Sequence, residues 1–215
     1  MGRGWESQTS AAIAEAGARP AAGRYREAMA TEQQIPLPLH RLDVETYDAI
    51  VASGALEGQH VELLDGVLVE VSPQSPEHAT LIERLMRHFA AAPRWWTRVQ
   101  SPFEVRPDSE PEPDLAVFAE EPPSDRHPGA AELVIEVAVT SQLIDRNVKA
   151  AKYAHAGVPT YWLVDIPART VEVRTQPVDS AYARCDTYRE GDTVPCPLDG
   201  VADLDVADLL RDVRA

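Results

Sequence analysis

The feature that most constrains this chain is an apolar run, Leu133 to Val139, with a single acid, Glu136, in its middle. The run has strand length and is rich in branched residues, which predicts a strand buried on both faces of a sheet. An ionised carboxylate held away from water costs several kcal/mol unless a cation or hydrogen-bond donors meet it. The fold must therefore bring partners to Glu136.

Candidate partners lie on a second strand and on a helix. Asp114 opens another apolar stretch, Leu115 to Phe118, while Asp145, Lys149 and Tyr153 recur at every fourth residue and so share one helix face. Two acids on neighbouring strands, with a lysine nearby, can hold a divalent metal and orient a water, as phosphodiester hydrolysis requires. The alternative is that the two strand acids are unrelated structural residues.

The order and spacing of these residues resemble those of a known family. The matching positions are Pro113-Asp114, Glu136, Asp145-x-x-x-Lys149-x-x-x-Tyr153, Ala156-Gly157-Val158-Pro159, Tyr161 to Asp165, Glu62 to Gly66, and Ser72-Pro73-x-Ser75-Pro76-x-His78. Over roughly residues 40 to 210, the pattern resembles the Uma-two family of predicted restriction endonucleases, within the PD-(D/E)xK nuclease superfamily.

The resemblance implies an α/β fold, with a mixed central sheet flanked by helices like the restriction-endonuclease core. It also implies a metal-dependent endonuclease acting on DNA, in which Asp114 and Glu136 bind Mg²⁺ or Mn²⁺. Lys149 would orient the attacking water or stabilise the transition-state charge. Asp145 would hold Lys149 through an i, i+4 pair, and Tyr153 would contact phosphate or pack.

The chain departs from the superfamily pattern at two places. The superfamily lysine usually lies two residues after the strand acid, where this chain has Ala138, so its role would move to Lys149. The loop Val139 to Gln142 is also about one residue shorter than the Ser-Pro-Ser-Thr stretch typical of the family.

Glu62 and His78 are two supporting candidates, each with an ordinary structural alternative. Glu62 is either a solvated strand carboxylate or, by the family resemblance, a third acid of the site. His78 leans inward at the start of a helix, where it either packs or caps, or contacts phosphate or the metal shell.

The charge of the chain favours a second hypothesis. The 215 residues carry a formal net charge of −15, which opposes a surface broadly attractive to nucleic acid. The alternative function is therefore a catalytically weak or inactive nuclease-fold module that serves in binding or assembly.

The length and composition predict one folded domain. Residues 1–34 lack an apolar stripe and are predicted to form a disordered tail, and residues 35–215 a single nuclease-like domain. The sequence has no apolar run of membrane-spanning length and no signal-peptide core, so we expect a cytoplasmic protein whose partner is DNA and not a membrane. A homodimer is left open. Cys185 and Cys196 are predicted to be reduced thiols.

Helix and strand signals surround the candidate site. Asp43 caps a helix with Val44, Tyr47, Ile50 and Val51 inside, Asp65-Gly66 turns a hairpin, and Ser75 caps a helix with the stripe Leu81, Ile82, Leu85, Met86 and Phe89. Ser141 is predicted to cap a helix to about Ala156 that turns Ile144, Val148 and Ala151 to the sheet. Strands are predicted at 95–99, 103–105 and 160–165, the last parallel to the Glu136 strand.

Overall fold

The computed structural model of the protein describes residues 38–71 and 73–213. The predicted tail, residues 1–34, and Ser72 of the family pattern lie outside the described residues. Within the described ranges, no helix is both long and apolar enough to cross a membrane. Cys185 and Cys196 are both free thiols, as predicted.

A mixed six-stranded sheet forms the centre of the fold. Its strands are β3 (Trp96–Val99), β4 (Leu115–Phe118), β5 (Leu133–Ala138), β6 (Thr160–Asp165), β7 (Thr170–Val178) and β8 (Ala181–Arg189), in that spatial order. The strands β5 and β6 pair in parallel, and every other neighbouring pair is antiparallel. The predicted α/β fold with a mixed sheet is therefore confirmed.

The position of β5 in this sheet explains the proximity of the two strand acids. All six residues of β5 are buried, because β4 and β6 pair with its two edges and side chains cover both faces. Leu115 of β4 pairs with Ile135, and antiparallel register then sets Asp114 beside Glu136. The register thus brings both acids to one end of the β4–β5 pair.

Two helices begin at the predicted residues, but they bury fewer of their apolar side chains than the sequence predicts. The helix α1 (Val44–Ala52) is capped by Asp43 and buries Val44 and Tyr47, whereas Ile50 is half-buried and Val51 is 49% exposed. The helix α2 (Pro76–Ala90) is capped by Ser75 and packs Leu85 and the rest of its stripe onto the sheet. Met86 was predicted to be buried and is 45% exposed, because it lies at the edge of that stripe.

The segment after β5 differs from the predicted helix. Residues Ile144–Lys149 form a π-helical turn, which continues as α3 (Ala150–His155). The amide of Ala150 donates to the carbonyl of Asp145, five residues back, so each turn holds more residues than an α-helix and the inward face rotates. The predicted inward stripe is therefore wrong: Ile144 is 38% exposed, while Asp145 and Lys149 are buried.

A separate hairpin completes one side of the molecule. The strands β1 (Val61–Leu64) and β2 (Val67–Glu70) form their own two-stranded sheet around the predicted turn at Asp65-Gly66, and an isolated bridge links Leu63 to Glu110. Gly66 has φ of +71°, and a Cβ there would lie 2.5 Å from the Cβ of Arg41, so this close approach requires glycine.

The remaining segments close the core. The short strands β9 (Thr193–Val194) and β10 (Leu204–Asp205) pair, and α4 (Val206–Leu209) packs onto the apolar core. The strand predicted at 103–105 is wrong, since this segment forms just an isolated bridge between Val105 and Ser109.

We predict that neighbouring positions on α2 differ sharply in their effect on stability. Leu85 is fully buried, so Leu85→Ala should lower the free energy of unfolding by about 2–5 kcal/mol through lost contacts and a cavity. Met86→Ala, at the exposed edge, should change it by about 0.5 kcal/mol or less. Urea denaturation of the two variants measures both values, and equal losses would contradict the observed packing of α2.

Candidate active site

A cleft of about 750 Å³ contains the acids and the lysine that the sequence singles out. Its walls come from the β1–β2 hairpin, the start of α2, the ends of β4 and β5, and the π-helical turn. The predicted site residues that line it are Glu62, His78, Asp114, Glu136, Asp145 and Lys149. The fold thus collects candidates that are far apart in the chain.

Asp114 is fixed by donors from two directions. Its Oδ2 accepts a hydrogen bond of 2.8 Å from the amide of Val137 and lies 3.0 Å from Nε2 of His78. The cap of α2 is Ser75, whose Oγ accepts from the amide of His78, so the capping alternative for His78 is wrong. The His78 ring instead orients one of the two predicted metal ligands.

Glu136 is almost completely buried and has several partners. Its Oε1 accepts a 2.6 Å hydrogen bond from the hydroxyl of Tyr153 and lies 3.1 Å from Nζ of Lys149. Its Oε2 accepts a longer hydrogen bond, of 3.4 Å, from the amide of Asp114. The two acids therefore each bind the backbone of the other's strand, which holds their carboxylates together.

Lys149 lies between Glu136 and Glu62. Its Nζ is 2.9 Å from Oε1 of Glu62, and the side chains of Lys149 and Glu62 are 8% and 4% exposed. The prediction that Glu62 could be a solvated strand carboxylate is therefore wrong. The second oxygen of Glu62, Oε2, is buried and has no hydrogen-bond partner within the described residues.

Asp145 and Tyr153 have contacts that differ from those predicted. Asp145 accepts a 2.5 Å hydrogen bond from the hydroxyl of Ser141, and the described ion pairs of Lys149 do not include it, because the π-helical turn changes the i, i+4 geometry. Tyr153 is fully buried in the core, which agrees with the packing alternative and not with the phosphate contact, and its hydroxyl donates to Glu136.

Sequence reasoning named Tyr161 only as part of the family pattern and missed its role in the site. This residue of β6 is fully buried, and its hydroxyl donates a 3.1 Å hydrogen bond to the carbonyl of Asp145, the acceptor that opens the π-helical turn. Its ring packs on Tyr153 at a centroid distance of 5.3 Å. A tyrosine within a strand predicted to be buried was the available signal, because a buried hydroxyl needs a partner.

The buried charges are unevenly balanced. Burial raises the pKa of Glu136 well above its usual range; Lys149 offsets only part of this rise, and nearby Asp114 adds to it. Burial lowers the pKa of Lys149, but Glu136 and Glu62 more than reverse this effect, so the amine stays protonated. Burial also raises the pKa of Tyr153, which keeps its phenol as the donor.

The wider cleft is strongly acidic. Lys149 is the one lysine or arginine among the described residues that line it, and the acids there also include Glu70 and Glu112. The basic residues of α2 and β3 are engaged elsewhere: Arg84 donates to the carbonyl of Leu209 and Arg98 to that of Pro123. The cleft thus offers acceptors for cations and little positive charge for an anion.

We predict that the free energy of unfolding of Glu136→Gln, relative to that of the parent, increases as the pH rises. In the unfolded chain Glu136 loses its proton near its ordinary pKa of 4.5. Because the pKa is raised in the folded protein, Glu136 keeps its proton there to a higher pH. Stability due to this group therefore falls above about pH 4.5, and the neutral glutamine removes that loss.

Urea denaturation of the metal-free parent and variant between about pH 5 and pH 8 tests this expectation. Glu83→Gln is the matched control, because Glu83 pairs with Arg87 on the exposed surface. A difference between parent and Glu136→Gln that stays constant with pH would contradict the prediction.

Comparisons with known proteins identify the fold and the family of this chain. The crystal structure of "a putative nuclease belonging to DUF820" from Anabaena variabilis is 16% identical, covers 70% of this chain and 89% of that chain, and has a TM-score of 0.54, which shows a shared fold. No curated protein matches this chain. The Uma2 family model, described as "Putative restriction endonuclease", matches residues 44–207. Since this match spans well over half of the chain, the protein belongs to the Uma2, or Uma-two, family.

Proposed function

We propose that this protein is a metal-dependent endonuclease that hydrolyses phosphodiester bonds in DNA. The observation that carries the proposal is the meeting of Asp114, Glu136 and Lys149 in one cleft of a nuclease-like fold. DNA is the proposed partner. A homodimer and a cytoplasmic location remain predictions.

The donors of the cleft fit Mg²⁺ or Mn²⁺. Asp114 and Glu136 would hold the ion, because hard divalent cations prefer carboxylate oxygens and Mg²⁺ commonly binds through one or two carboxylates and several waters. No group of three or more His, Cys, Asp or Glu in the described ranges could hold a metal ion by itself, so waters would have to complete the coordination. The buried, unpartnered Oε2 of Glu62 adds uncompensated negative charge nearby.

The residues of the chain have separate roles in this proposal. A bound metal would supply a water of lowered pKa and would neutralise negative charge on the phosphate. His78 and the Val137 amide orient Asp114, and Tyr153 orients Glu136. Lys149, kept protonated by its acidic neighbours, would orient the water or stabilise charge that develops on the phosphate.

The acidity of the cleft favours one alternative function. A cleft in which Lys149 is the one described strong base, on a chain of net charge −15, repels a polyanion in the absence of metal. The alternative is a weak or inactive nuclease-fold module that serves in binding or assembly. Metal-dependent nicking of supercoiled DNA separates the two functions, since a weak module yields little product and an inactive one yields none.

We predict that nicking depends on Lys149 far more than on Lys152. Lys149→Ala should lower the rate of nicking with Mg²⁺ or Mn²⁺ by about a hundredfold or more, because it removes the one buried ammonium of the site. Lys152→Ala should change the rate by about threefold or less, since Lys152 pairs with Asp65 and Asp108 near the hairpin turn, away from the acids.

The control for contaminating nuclease is Asp114→Asn, which should abolish nicking in the same preparation. A larger loss in Lys152→Ala than in Lys149→Ala would show that the catalytic lysine has been assigned wrongly. Nicking by Asp114→Asn at the parental rate would remove Asp114 from the proposed site.

We also predict that Mg²⁺ stabilises the folded protein through Glu136. An ion at a hundredfold excess over its dissociation constant, bound by the folded state alone, adds about 2.7 kcal/mol. For a chain of this length the melting temperature should then rise by roughly 5–10 °C. Glu136→Gln should abolish the rise, and thermal melts with EDTA and with Mg²⁺ measure it. An equal Mg²⁺ response in parent and variant would show that Glu136 is not a ligand.

A further inference from the structure

The ammonium of Lys149 occupies a position between two buried carboxylates. Its Nζ lies 2.9 Å from Oε1 of Glu62 and 3.1 Å from Oε1 of Glu136. Glu62 belongs to the β1–β2 hairpin and Glu136 to the central sheet, which are separate sheets. Lys149 therefore joins two acids that have no backbone pairing to hold them together.

One ammonium does not satisfy this pair of acids. When both acids are ionised they carry two negative charges, whereas Lys149 supplies a single positive charge. Glu62 is 3% exposed and lines the cleft, yet its Oε2 has no hydrogen-bond partner among the described residues. A buried carboxylate oxygen without a donor is costly, so a cation of higher charge would be favoured at this position.

We propose that Glu62 and Glu136 form a cation site, and that the Lys149 ammonium and a divalent ion compete for it. This inference rests on the divalent metal of the proposed function. It gives Lys149 a second role, as a built-in counterion that keeps the acids together in the metal-free protein. Once Glu136 binds the divalent ion, Lys149 loses its contact with Glu136. Its ammonium is then free to move toward the cleft, where a phosphate would enter.

The chain provides a matched control for this competition. Lys152 is on the same helical segment, is partly buried, and pairs with Asp65 of the hairpin turn and with Asp108 at 3.7 Å. It thus fastens the same hairpin without touching Glu62 or Glu136. Replacing Lys152 therefore tests the general effect of losing a lysine that holds the hairpin, apart from any effect on the two acids.

The experiment measures Mn²⁺ affinity of the full chain by the paramagnetic resonance of free Mn²⁺. Lys149→Met and Lys149→Gln should each bind Mn²⁺ about tenfold more tightly than the parent or better, because the competing charge is gone. Lys152→Met should stay within about twofold of the parent. Affinity in both Lys149 variants that is equal to or weaker than the parental affinity would overturn the inference.

A second substitution tests the place of Glu62 in the site. Adding Glu62→Gln to Lys149→Met should return the Mn²⁺ affinity to about the parental value or below it. An affinity that remains as high as in Lys149→Met would overturn the assignment of Glu62. If the Lys149 variants are unfolded without metal, circular dichroism during Mn²⁺ titration decides: recovery of the folded signal supports the site, and no recovery overturns it.

The measurement is separable from nuclease activity. A parent that does not nick DNA, with tightened Mn²⁺ binding in the Lys149 variants, contradicts the proposed catalysis and supports the competition. A parent that nicks DNA, with no tightening in the variants, supports the proposed catalysis and overturns the competition.

Discussion

The burial of Glu136 in the middle of β5 is the constraint on which the rest of the site depends. A carboxylate at this position is stabilised only if donors and a cation reach it, and loss of one partner from such a buried pair costs about 3–5 kcal/mol. Lys149, Tyr153 and the Asp114 amide meet this requirement from three different elements. Burial of Glu136 costs stability, and it also determines where the π-helical turn, α3 and β4 must lie around this residue.

The π-helical turn is the local solution to that requirement. In a regular α-helix the apolar residues Ile144 and Val148 would face the sheet, but the wider turn directs Asp145 and Lys149 inward instead. Two hydroxyls stabilise this turn. Ser141 donates to the side chain of Asp145, and Tyr161 donates to the backbone carbonyl of Asp145. The molecule thus exposes part of Ile144 to place an ammonium beside Glu136.

These observations show which features the sequence could predict and which it could not. Local sequence patterns predicted the burial of β5, the hairpin at Asp65-Gly66 and the cap at Ser75. The family resemblance predicted that Asp114, Glu136 and Lys149 belong to one site. The π-helical turn escaped prediction because periodicity assumes a regular helix. The environment of Glu62 also escaped it, because the partner of Glu62 lies 87 residues further along the chain, at Lys149.

The acidity of the cleft sets a condition on any nucleic-acid substrate. Its described acids are Glu62, Glu70, Glu112, Asp114, Glu136 and Asp145, against the single ammonium of Lys149, which is already paired. Most nucleic-acid-binding proteins gain affinity by neutralising phosphates with lysine and arginine, and this cleft lacks that means within its described residues. Positive charge must therefore come from bound cations, so that in the proposed enzyme the metal is needed for the phosphate to approach as well as for its hydrolysis.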